Sequence, residues 1–350
     1  MRRRQLLAAI AAALAGADVD LRAWWPDPQS GAWGPPPARV GHLDVVRLGH
    51  VTRHLRALDA ETGGGAALDP AVAALEHSSR LLERADTKVR AELLAALADM
   101  ANVVGWAAHD AGHHELAAAH LMRALDWALA ADSAHGSALA ANILFHLARV
   151  ALYREDPDTA LGLVRHGHGL TARTGNTAES AQLHATAAWA HALKGDHRQV
   201  AESLARAEDD IHASSAPEAP WMRIFFAPGD FAGHQALVYS ALASHTTDAR
   251  TAESVATTAL ERTRVSLPQA TRDRPSRSLT FDAIVAAQNA FRLGDLDSAI
   301  PMTKQALSGA AATTSRRATE RLQEIALAAA PHTHHGTVAD LHHDLVLAGA

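Results

Sequence analysis

The sequence predicts an all-α fold, a right-handed superhelix of stacked helical hairpins. Three observations carry that expectation. Hydrophobic residues make up 48% of the 350 residues while aromatics make up 4%, with Ala and Leu in excess. That composition suits closely packed helices rather than sheets. Apolar residues recur at helical spacing from Val40 onward. A short phrase also returns five times with fixed internal offsets. The composition excludes several function classes too. There is no Cys, so a disulfide scaffold, a Cys-ligated zinc site, a thiol nucleophile and an iron–sulfur cluster are ruled out. Lys and Arg total 32 against 38 Asp and Glu, a net charge of −6. That balance argues against a chain that holds nucleic acid directly, which needs clustered cations. The 23 histidines are unusually many.

Residues 1–38 read as a basic and apolar helix followed by a Pro/Trp-rich linker, and 39–350 as the repeat domain with its capping helices. Arg2, Arg3 and Arg4 precede an apolar run from Leu6 to Ala15, and Ala15-Gly16-Ala17 has a small-x-small form. Taken literally this is a twin-arginine export signal. The alternative is a short helix with a basic start, too short to span a bilayer. No other segment reads as transmembrane. Pro26, Pro28, Pro35, Pro36 and Pro37 forbid a regular helix before Ala38. Leu48, Val51, Leu55 and Leu58 then form one apolar helical stripe, stopped at Gly63-Gly64-Gly65. Asp69-Pro70 is expected to restart a helix, with Asp as N-cap.

The recurring phrase follows. Gly112-His113-His114 precedes Ala117, Leu121 and Ala124-Leu125, and Glu155-Asp156-Pro157 precedes Ala160, Val164 and Gly167-His168. The turns at Gly195-Asp196, Thr247-Asp248 and Gly294-Asp295 repeat those offsets. A small residue, Gly105, Ala148, Ala188, Ser240 or Ala287, lies upstream of each turn. Antiparallel helices approach closely only where side chains are small. This is the pattern of a tetratricopeptide-like repeat, so the expected fold is a tetratricopeptide-repeat-like α-solenoid. The turns are 43, 40, 52 and 47 residues apart, which places an irregular insertion over 213–228, either a loop cap or a lid. Helices over 316–330 and from about Gly336 to Ala348 would cap the solenoid.

Residues 40–130 resemble a known family. Asp44, Leu48, Thr52, Leu55, Arg56, Leu58-Asp59 and Gly63-Gly64-Gly65, then Leu94-Ala95, Ala98, Gly105-Trp106, Asp110, Gly112 and Ala117, look like the C-terminal sensor half of actinobacterial XRE-type transcriptional regulators. Beyond 130 the resemblance is generic. In that family a helix-turn-helix head precedes a tetratricopeptide-like body, and residues 1–38 show no such head. The Arg-Arg-x-Leu-Leu start resembles the stretch between head and body in a cytoplasmic protein. The resemblance therefore implies a cytoplasmic sensor body, with export as the alternative. A partner would supply any DNA contact.

Such arrays bind ligands on the concave face, built from the first helix of each repeat. The register places Asn102, Trp106 and His109, with Asp99 and Asp110, on that face in the first repeat. Asn142, Arg149 and Tyr153, with Phe145, follow in the second, and Gln182 and Trp189 in the third. His234, Leu237 and His245 come from the fourth, and Ile284, Gln288, Phe291 and Arg292 from the fifth. Amide side chains offer donor and acceptor in one group, and aromatics offer anchoring area. Trp106 and Trp189 could instead fill space between helices. His109 and His113 are spaced i, i+4, which can suit zinc, but Gly112 interrupts them and no third ligand is fixed. There and in the tail cluster at His332, His334, His335, His342 and His343, solvated surface histidine is the simpler reading.

No nucleophile elbow, phosphate loop, zinc-protease motif or dinucleotide fingerprint is present. The expectation is a non-enzymatic module with no cofactor, no metal and no membrane contact, whose groove takes a peptide or protein segment. Self-association through exposed helix faces is also open. The competing expectations are an exported scaffold and an enzyme accessory on the same scaffold.

Overall fold

The computed structural model describes residues 39–349 apart from 215–218, 220, 222–228 and 270–273. The expected N-terminal helix and linker, and most of the 213–228 insertion, lie outside the described residues. Fourteen α-helices and no strands occur among the described residues. Helix α1 (His42–Thr62) and α2 (Gly64–Ser79) lead into five hairpins. These are α3 (Thr87–Asp110) with α4 (His114–Ala130), α5 (Ala134–Tyr153) with α6 (Pro157–Thr174), and α7 (Thr177–Leu193) with α8 (His197–Ala213). The last two are α9 (Asp230–Ser244) with α10 (Ala249–Ser266), and α11 (Ser276–Arg292) with α12 (Leu296–Ala311). Helices α13 (Arg316–Ala329) and α14 (Gly336–Gly349) end the stack.

The recurring phrase has a local physical meaning. Gly112, Gly195 and Gly294 take φ of +86, +67 and +70°, the left-handed turn that ends each first helix. The next residue starts the second helix. Asp156, Asp196, Asp248 and Asp295 each accept the backbone N–H three residues on, at 2.8–3.1 Å. The small positions are equally concrete. A Cβ on Gly105 would lie 2.6 Å from Leu121 Cγ. Most of the apolar core forms in three clusters along the stack, around α1 to α5, α5 to α9, and α11 to α14, with a small fourth at Leu94, Ala95 and Ala131.

Two sequence expectations are corrected. Asp69 is not an N-cap: α2 starts at Gly64, and Asp69 and Pro70 lie inside it. The reason is tertiary. Asp110 Oδ2 accepts the Gly64 N–H at 2.7 Å, and Thr314 C=O accepts the Gly65 N–H at 3.1 Å. Contacts remote in sequence therefore cap this helix start. Two helices, Thr87–Asp110 and Ala134–Tyr153, also reach a mean hydropathy of 1.2 over a span-length window. Of those windows 78% and 72% lie buried in the protein, so their apolar length serves the helix stack.

The superhelix closes on itself. Thr314 N–H donates to Thr62 C=O at 2.7 Å, across 252 residues. Arg277 of α11 donates to Asp59 of α1 at 2.8 Å and to Asp110 of α3 at 2.7 Å. Arg317 of α13 pairs with Asp110 at 2.8 Å. The glycine run joins this seam. A Cβ on Gly63 would meet Ser315 N at 2.9 Å and one on Gly65 would meet Thr314 O at 2.8 Å, while one on Gly64 would meet Ala107 O of the neighbouring α3 at 2.3 Å. Gly63 has φ +91°. The run that reads as a helix break is a place where two ends of the solenoid touch backbone to backbone.

Candidate functional site

The odd-numbered helices α1 to α13 all turn one face to the axis, and together they line a cavity of about 210 Å³. Its wall combines three chemistries. The first is a ladder of amides. His146 Nδ1 donates to Asn102 Oδ1 at 2.7 Å, Asn102 Nδ2 to Asn142 Oδ1 at 3.0 Å, and Asn142 Nδ2 to Gln182 Oε1 at 3.1 Å. Trp221 Nε1 donates to Glu179 Oε1 at 2.6 Å at the ladder's end. Burial pushes the Glu179 carboxyl up to about 8, against the opposing hydrogen bonds from Trp221 and Asn142. It is therefore protonated at neutral pH. The His146 imidazole is held well below its ordinary value, first by burial and then by Arg149, Arg56 and Arg317. The ladder is a neutral polar strip.

The second chemistry is guanidinium. Six arginines line the cavity: Arg56, Arg149, Arg274, Arg277, Arg317 and Arg321. Five have carboxylate partners. Arg56 donates to Asp99 at 2.5 Å, Arg274 to Asp230 at 2.9 Å and also to Asp282, and Arg321 to Glu324 at 2.9 Å. Arg277 and Arg317 share Asp110. Burial opposes the Asp110 charge, but Arg317 and Arg277 outweigh it and hold its carboxyl at about 2. The third chemistry is aromatic. The Arg149 guanidinium lies 5.7 Å from the Trp106 ring, 5.6 Å from Phe145 and 5.4 Å from Trp189. Arg317 stands 4.6 Å over Trp106 and 5.2 Å from Phe281.

Of the eight residues the sequence singled out, Asn102, Trp106, Arg149, Tyr153 and Gln182 line the cavity. Asn142 stands behind it as the middle of the amide ladder. Trp189 lies between helices, edge-on to Tyr153 at 5.4 Å. His109 is 0% exposed, beneath Trp106 and Tyr153. Its Nδ1 is 3.1 Å from His114 Nδ1, while His113 is exposed at the start of α4. The surface reading of His109 is thus corrected: the end of α3 is covered by α13 and α5. Among the described residues no group of three His, Asp or Glu side chains is placed to hold a metal ion. In the tail, His332 is partly buried and its Nε2 donates to Phe291 C=O at 2.9 Å.

The fourth and fifth repeats need a further correction. Ile284 and Phe291 are core residues, and Gln288 and Arg292 bond to Ser240 of the neighbouring hairpin. His245 caps α9 at its exposed end. The cavity instead meets α11 at Arg277, Phe281 and Val285. These lie two helical turns before Ile284, Gln288 and Arg292, so the cavity uses the same face of α11 nearer its N-terminus than the repeat register places it. Sequence reasoning also missed Arg317 and Arg321. Their i, i+4 spacing on an amphipathic helix was the available signal, but α13 reads as a cap until the solenoid closes.

A scan against protein-family models finds no match, and neither does a comparison with curated proteins. Solved structures do match. The apo form of RapI is similar at 10% identity, covering 89% of this chain and 93% of RapI, with a TM-score of 0.54. BtubC from P. vanneervenii matches at 16% identity over 72% of this chain and 92% of its own, TM-score 0.46. The apo quorum sensor NprR from B. thuringiensis matches at 12% identity over 93% and 80%, TM-score 0.43. The likeness to RapI is one of architecture, and the chain is an all-α, tetratricopeptide-like helical solenoid.

Proposed function

We propose that this protein is a non-enzymatic regulatory module that binds a peptide or protein segment in its concave cavity and acts through a partner. One observation carries the reading: seven helices converge on a single cavity whose wall mixes buried amides, guanidinium groups and aromatic rings. Amides suit a peptide backbone, rings suit its side chains, and arginines suit its carboxylates. Pockets that are mostly apolar with a few fixed polar groups are the usual form of ligand sites. The resemblance of residues 40–130 to XRE-type sensor bodies supports a role in transcriptional regulation in the cytoplasm.

The test is affinity selection of a random short-peptide library on the protein and on a Ser278→Trp variant. Ser278 lines the cavity at the start of α11, so an indole there fills it. Selected peptides should bind the parent and lose binding to the variant. Equal binding to both would remove the cavity as the binding site.

A further inference from the structure

Arg149 differs from the other cavity arginines. Among the described residues no carboxylate pairs with it, and its buried Nε has no hydrogen-bond partner. Burial first, with Arg317 and Arg321 beside it, brings its pKa down to about 10 against the pull of Tyr153. It therefore stays cationic at neutral pH. Buried charges in folded proteins are ordinarily paired, so this group is short of an anion.

The surroundings say which anion. Trp106 stands between Arg149 and Arg317, with guanidinium carbons 5.7 and 4.6 Å from its ring. The Tyr153 hydroxyl accepts from Arg317 Nη1 at 3.2 Å. The four arginines Arg149, Arg277, Arg317 and Arg321 have three carboxylates between them: Asp110, which Arg277 and Arg317 share, Asp59 on Arg277, and Glu324 on Arg321. The corner thus has more cation than anion. Phe145 and Phe281 stand in the wall with Trp106. Volume sets the remaining limit. A cavity of about 150 Å³ holds benzene, so about 210 Å³ takes one ring or branched side chain plus a carboxylate.

We propose that this corner is a subsite for an apolar carboxylate, filled by the C-terminal residue of a short peptide. The α-carboxylate meets Arg149, and the terminal side chain lies among the rings. This deepens the peptide-groove reading and rests on it for the identity of the occupant. A free aryl-alkyl acid has the same chemistry, so the test separates the two sources.

Calorimetry with four probes makes the test: 3-phenylpropionate, 3-phenylpropionamide, the tripeptide Ala-Ala-Phe with a free C-terminus, and the same tripeptide amidated. Both carboxylates should bind the parent protein, and each amide should bind about tenfold or more weakly, the loss of one charge-assisted bond. Arg149→Met should lose carboxylate binding by a similar factor while its Tm stays level or rises, since it removes an unpaired buried charge. Should that variant fail to fold, the acid-against-amide comparison on the parent decides alone. Equal binding of acid and amide, no binding by either acid, or equal competition by inorganic phosphate would each overturn the subsite. Binding of 3-phenylpropionate without the tripeptide would overturn the peptide as occupant. Tripeptide binding that ignores amidation would leave the groove reading standing and remove this subsite.

Discussion

Asp110 gathers Gly64 N–H, Ser315 Oγ, Arg277 and Arg317 around one fully buried carboxylate. Removing its charge strands the buried Arg317 and leaves Arg277 with Asp59 alone, and stranding a buried charge typically costs about 3–5 kcal/mol. Asp110→Asn should therefore lower stability by that order in denaturant titration. Glu179 sets a pH dependence. Its carboxyl titrates at about 8 in the folded protein and near 4.5 when unfolded. Between those values the native state holds a proton that the unfolded chain has released. Stability therefore falls as pH rises, by about 1.4 kcal/mol per unit. Buried His146 and His109 are held well below 6.5, and His234 at about 4. They stay neutral in the native state while the unfolded chain protonates, so stability also falls below about pH 6.5. The two trends meet in a stability maximum near pH 6.5. Denaturant midpoints measured from pH 5 to 9 should show it, and Glu179→Gln should flatten the fall between about pH 6.5 and 8 and steepen the acid side, because that carboxyl acts over the whole interval from 4.5 to 8.

Two features of the hairpins make contrasting tests at the level of the element. The turn between α5 and α6 places Glu155 at φ +56°, where Gly195 and Gly294 stand in later repeats. A side chain in that conformation costs roughly 1–2 kcal/mol, partly offset by the freedom of glycine in the unfolded chain. Glu155→Gly should thus raise stability by up to about 1 kcal/mol. The small positions behave oppositely. Gly105→Ala would drive a methyl to 2.6 Å from Leu121, so it should lose about 1–3 kcal/mol through overpacking. Gly162→Ala, with nothing within 4 Å of the new Cβ, should gain about 1 kcal/mol from helix propensity. Thermal melts of the three variants would read the signs directly. Residues and spacing alone locate these hairpins, because caps, turns and helix–helix contacts are local and recur in register. The Asp-capped second helices and the small-residue contacts are legible for that reason.

The whole molecule is a solenoid whose ends meet. Its seam depends on the glycine run, where a Cβ on Gly65 would come within 2.8 Å of Thr314 O at the other end. Gly65→Ala should force the ends apart with the hairpins intact. Small-angle scattering would show a larger radius of gyration, while helical circular dichroism stays unchanged. An unchanged radius would mean that the seam tolerates a methyl and that closure is held by the arginine pairs alone.

The sequence by itself determined the fold class, the five hairpins, and five of the residues that line the cavity: Asn102, Trp106, Arg149, Tyr153 and Gln182. All of these follow from spacing within one hairpin or between adjacent ones. Closure of the superhelix was decided only in three dimensions. It turned Asp69 from an N-cap into a helix interior, buried His109, and brought Arg277, Arg317 and Arg321 to the axis opposite Arg149. Those positions are set by a small twist per repeat accumulated over the whole stack, which fixes where its ends meet and which charges face each other. A local pattern reports a neighbour three or four residues away, whereas Asp59 and Arg277 are 218 residues apart.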